Sequence, residues 1–81
     1  MTNHYVPDRE YEVRQLALAN RQIADVNGRI ADLEEILRVV PGEAVSSSRL
    51  GNMRGVLATL TTHRDQIQRT IDDLDSGALA S

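Results

Sequence analysis

Few residues in this chain have the types and spacing that bond-making chemistry requires. His4 and His63 are the only histidines, one before Pro7 and one near the middle of the second half, so they share no metal-ligand spacing, and no cysteine is present to add thiolates. No metal or other cofactor is expected. The carboxylate pairs Glu34-Glu35 and Asp72-Asp73 would serve acid-base catalysis only inside a cleft that moves their pKa values apart. On an exposed helix they are solvating charges. A Ser-His-Asp constellation, a phosphate-cradling glycine loop and a dinucleotide fingerprint are all missing from the sequence, and an enzyme is not expected. The group with ligand-binding character is Thr61-Thr62-His63-Arg64, whose hydroxyl, imidazole and guanidinium groups could donate to an anion such as a nucleotide at a subunit interface.

Two patterned segments must position these residues. From Leu16 the apolar residues recur every seven positions in two interleaved sets: Leu16, Ile23, Ile30 and Leu37 at position a, and Ala19, Val26, Leu33 and Val40 at position d. A heptad kept through four repeats marks a coiled-coil seam. Asp8 is the expected N-cap, with Glu10 and Glu12 in the first turn, where acids complement the helix dipole. Pro41-Gly42 ends the helix, because proline breaks the hydrogen-bond ladder and glycine relieves the turn. Ser46, Ser47 and Ser48 supply N-cap candidates for a second helix, whose seam runs Leu50, Met53, Leu57, Leu60, Arg64, Ile67, Ile71 and Leu74. Gly77 is a natural C-cap.

These signals predict an all-α, antiparallel two-helix coiled-coil hairpin. Residues 1–7 form an N-terminal tail, helix one spans 8–40, a loop spans 41–47, helix two spans 48–76, and 77–81 form a C-terminal tail. In an antiparallel pair, facing residues have position numbers with a constant sum. From Val40 with Leu50 to Leu16 with Leu74, the two seams align at a sum of 90. This register sets Arg64 against Val26, with Asp25 and Asp65 nearby as ion-pair partners. As a lone charge in an apolar seam, Arg64 is expected to snorkel to the edge and fix the register.

Two helices bury only one stripe each, and chains of 81 residues without disulfides commonly gain stability by association. Ala17, Ala24 and Ala31, seven apart beside the seam, together with Val13 and Ile36, are the expected self-association residues; a homodimer closing a four-helix bundle is the simplest assembly, and a higher oligomer is the alternative. On helix two, Gly55, Val56, Thr59, Thr62, His63 and Arg64 are the candidates for contact with a partner or ligand. Glycine inside a helix costs about 1 kcal/mol relative to alanine, which is a reason to look for a packing role at Gly51 and Gly55.

The net charge of −3 argues against nonspecific binding to phosphate backbones, although Arg14, Arg21 and Arg29 on helix one would be the contacts if a dimeric bundle bound RNA. No run approaches the ~20 apolar residues of a membrane span, and the polar N-terminus has no leader-like apolar core. The expected location is the cytoplasm, or a host cytoplasm or virion. All nine basic residues are arginine, a bias typical of G+C-rich coding, as in many bacteria and their phages. The functional expectation is a non-enzymatic interaction or assembly module, of the adaptor, virion-accessory or host-inhibitor type, that binds itself and a larger protein. The alternative is an oligomer holding a small anion near His63 and Arg64. On the alanine reading, Ala24→Arg should reduce the mass measured by light scattering and leave helicity intact.

Overall fold

The computed structural model describes residues 8–77. The expected N-terminal tail 1–7, including His4 and Tyr5, and residues 78–81 of the expected tail 77–81 lie outside them. Two α-helices, α1 (Arg9–Val39) and α2 (Ala44–Asp75), pack against each other as a hairpin. At about 1.5 Å per residue each helix runs some 45–50 Å, and the molecule measures 58 × 23 × 15 Å. It is a flat rod with two broad faces and two narrow edges.

The caps explain where each helix starts and stops. Asp8 sits in extended backbone and its carboxylate accepts from the Glu10 amide at 3.1 Å, satisfying one of the orphan N–H groups of the first turn. At the other end of the chain Gly77, at φ +79°, adopts the left-handed conformation that glycine reaches without steric cost. The start of α2 departs from expectation. The cap is Glu43, not a serine: its carboxylate accepts from the amides of Val45 and Ser46. Ser46, Ser47 and Ser48 therefore lie inside the helix, which begins at Ala44, four residues before the expected position 48. A glutamate held at the cap gathers two orphan donors at once, so the connection shrinks to Val40–Glu43.

The shorter connection changes the register. Leu16 and Ala19 of α1 pack with Ile67 and Ile71 of α2, and Leu33 shares a groove wall with Met53. Arg9–Asp75 and Glu34–Arg54, ion pairs that cross between the helices, have position numbers adding to 84 and 88. These values bracket a sum near 86, not 90. Each α1 residue faces a residue one seam step nearer the loop than the sequence predicted. Because the slip equals one step of a three-and-four pattern, apolar side chains still meet apolar side chains.

The seam also extends further than its hydrophobic pattern. Glu12, seven residues before Ala19, and Ser46, four before Leu50, are both buried. Between them the core divides into two clusters: Leu16, Ala19, Ile67 and Ile71 toward the open end, and Val26, Ile30, Leu33, Leu37, Leu50, Met53, Leu57 and Leu60 toward the loop. Ala19 is the most enclosed apolar residue at 2% exposure, and among the described residues no large side chain is fully buried.

Hydrogen bonds from the Ser46 hydroxyl and amide hold the Glu43 carboxyl below its ordinary range. A depressed carboxyl stabilises the folded state above its unfolded pKa, and that contribution disappears as pH falls through the folded value. Glu43→Gln should therefore lower the melting temperature at pH 7, and the gap from the parent chain should narrow as pH is taken below the ordinary carboxylate range. A gap that persists unchanged at acid pH would mean the carboxylate is not the cap.

Candidate interaction surface

Each α1 residue is turned about 100° from the last, so the positions beside the seam fall on opposite broad faces. Positions e and b carry Val13, Ala17, Asn20, Ala24, Asn27, Ala31 and Glu34. Positions g and c carry Tyr11, Gln15, Leu18, Gln22, Asp25, Arg29, Asp32, Ile36 and Val39. The same lettering on α2, with a at Leu50, Leu57, Arg64 and Ile71, puts Val45, Arg49, Asn52, Val56, Thr59, His63, Gln66, Thr70 and Asp73 at g and c. Like positions meet across the hairpin. Glu34 and Arg54, both e, pair at 3.6 Å on one face, and Arg29, Asp32, Leu33, Arg49 and Met53 line a groove on the other.

The exposed large apolar side chains are not spread evenly over these faces. Among the described residues they are Tyr11, Val13, Leu18, Ile36, Val39, Val40, Val45 and Val56. Six of these eight (Tyr11, Leu18, Ile36, Val39, Val45 and Val56) occupy g or c positions, on one broad face of the rod. Val39 is 71% exposed and Val45 56%, both beside the loop. The six stand in two groups on that face, Tyr11 and Leu18 toward the open end and Ile36, Val39, Val45 and Val56 toward the loop, with Asp25, Arg29 and Asp32 between them, which makes the face a candidate contact surface.

The residues singled out from sequence fall in different places. Ala17, Ala24, Ala31 and Val13 are exposed on the e/b face, whereas Ile36, turned about 140° from Ala31 by the helical repeat, lies on the g/c face. The five do not form one patch. On α2, Thr59, Thr62 and His63 line a shallow, open concavity with Ala58 and Gln66, about 470 Å³ in volume. Val56 lies on the g/c face beside it, and Gly55 is exposed on the outer edge. The Thr59 hydroxyl donates back to the Gly55 carbonyl at 3.2 Å. A Cβ at Gly51 or Gly55 would meet open space, so no close packing within the hairpin requires glycine at either position.

Arg64 does not join His63. Its side chain is 36% exposed, and its Nε and Nη2 donate to Asp65 at 3.1 and 3.0 Å, toward the e/b face. Asp25, the other expected partner, pairs instead with Arg29 at 3.4 Å. In the observed register Arg64 lies level with Ile23, at the gap between the two core clusters. It interrupts the seam as expected, but the concavity beside His63 gains no cation from it. Sequence reasoning named Ile36, Val56, Thr59 and His63 as candidates but did not join them with Leu18 and Val39 into one face, because these residues look scattered along the chain. Their common heptad phase with Tyr11 was the available signal.

Among the described residues no group of three or more histidine, aspartate or glutamate side chains could hold a metal ion, and no helix is long and apolar enough to cross a membrane. Comparison with family models, curated proteins and solved structures finds no match for the chain.

Replacing Arg64 with leucine should join the two clusters into one seam. Burial against Ile23 is worth roughly 1–2 kcal/mol, and the lost neighbour pair with Asp65 contributes little at a surface. Urea denaturation of Arg64→Leu should show that gain. A loss of stability would mean that the guanidinium holds the register.

Proposed function

We propose that the chain is a non-enzymatic interaction module whose working surface is the g/c face of the rod. The observation that carries this reading is the gathering of six of the eight exposed large apolar side chains on that face. The alanine repeat is the weaker candidate. An alanine presents a single methyl group, whereas burying a leucine or isoleucine removes several times that apolar area from water at roughly 25 cal/mol per Å². A hairpin with so thin a core gains most from a contact that covers Tyr11, Leu18, Ile36 and Val56 together. The second reading, capture of a small anion near His63, is less well supported, because Arg64 is engaged by Asp65 and the concavity is open and free of cations.

The same substitution on opposite faces tests the assignment. In extracts of a native host, a tagged chain should run well above the 9.0 kDa of a monomer on sizing. Leu18→Arg should return it to monomer mass and Ala24→Arg should not, which reverses the expectation drawn from the alanine repeat alone. If Ala24→Arg is the disruptive change, the e/b face is the working surface. If the parent chain runs as a free monomer, the interaction reading fails.

A further inference from the structure

The g/c face of α1 complements itself. Set antiparallel to its own copy with position numbers adding to 54, every g residue meets a c residue. Leu18 meets Ile36, Asp25 meets Arg29, Gln22 meets Asp32 and Gln15 meets Val39. By symmetry each pairing occurs twice. One pairing, Leu18 with Ile36, is apolar against apolar, one, Asp25 with Arg29, is opposite in charge, Val39 and Asp32 meet glutamines, and no carboxylate meets a carboxylate. Neighbouring registers lose this property: a sum of 50 sets Asp25 against its own copy, and a sum of 58 sets Arg29 against its own copy. Like charges placed directly opposite are repulsive and select against those registers.

The rest of the face accepts the same two-fold. With the observed hairpin register, the axis through the middle of this α1 strip passes near Thr59 of α2. There the uncharged g and c positions from Asn52 to Thr70 meet those of the other copy, with Val56 against His63. Area is sufficient as well. The broad face measures 58 by 23 Å, roughly 1,300 Å² in projection, against the ~800 Å² per partner typical of stable interfaces.

We infer that the occupant of the g/c face is a second copy of this chain, docked by a two-fold axis that runs α1 antiparallel to α1 and pairs Leu18 with Ile36 and Asp25 with Arg29. The inference rests on the interaction reading above and names its partner. The result is an isologous four-helix bundle, closed and self-limiting. The intrahelical Asp25–Arg29 pair, with both side chains 66% exposed, is then shared between subunits as a four-membered charge cluster around the axis.

Two measurements on the purified full chain test this. The sequence has no native cysteine, so Leu18→Cys/Ile36→Cys treated with a short bis-maleimide should form covalent dimer. Either single variant should not, since like positions stand on the order of 27 Å apart along the rod. Asp25→Arg should weaken dimerisation about tenfold, equivalent to ~1.4 kcal/mol, by light scattering across a dilution series. Asp25→Arg/Arg29→Asp, which restores both the intrahelical and the cross-subunit pairing, should recover it. A monomeric parent chain at high concentration would overturn the second-copy proposal while leaving the extract experiment to judge the wider reading. A dimer that fails to cross-link, or that ignores Asp25→Arg, would overturn this arrangement of the two copies.

Discussion

The single seam between α1 and α2 is the constraint on which everything else depends. Two helices offer each other one stripe apiece, so the hairpin encloses Ala19, Val26, Ile30, Leu50, Ile67 and Ile71 and leaves no large side chain fully buried. The peripheral polar contacts add definition more than strength. At the open end Arg9 donates to Asp75 at 2.7 Å and holds its carboxyl below the ordinary range, but both groups stand in water, where such pairs are screened and contribute little. A fold with this little enclosed apolar surface is sensitive to whatever covers its outer faces.

The path from seam to surface is geometric. A heptad that fixes a and d on the inside also fixes g and c on one broad face, in both helices and on the same side. Apolar residues that recur in that phase are therefore collected on one plane by the act of hairpin formation. Tyr11 and Leu18 near the open end, Ile36, Val39 and Val45 near the loop, and Val56 between them come to lie on the same face although they are spread across 46 positions of sequence. In the proposed dimer it is Asp25 and Arg29, at the centre of α1's strip, that select the alignment of the two copies.

The hairpin itself was legible in the sequence because heptad spacing, the Pro41-Gly42 break, the Asp8 cap and Gly77 all argue for the same two helices. The register was not. A seam that steps by three and four looks nearly the same after a slip of one step, so Leu37 can be matched to Met53 or to Leu50, and the slip leaves out only Val40, which loses Leu50 and stands 50% exposed. The loop decides between them, and the loop depended on whether Glu43 or one of three serines caps α2. Polar side chains at seam positions, Glu12 and Ser46, were hidden for a related reason: their burial follows from helical phase, and a search for apolar residues passes over them. The candidate surface was half legible. Alanine spacing drew attention to one face, while Ile36 and Val56 of the other were assigned to separate surfaces, because the g phase they share shows only when both helices carry one lettering.

That the rod is completed by covering its g/c face is best tested by the concentration dependence of its thermal stability. Association stabilises by mass action, so the melting temperature of the purified chain should rise steadily with each tenfold increase in concentration, and with Leu18→Arg the curve should become flat. A parent melting temperature that stays constant across the whole range would contradict the account, because it would show that the two-helix seam is sufficient by itself.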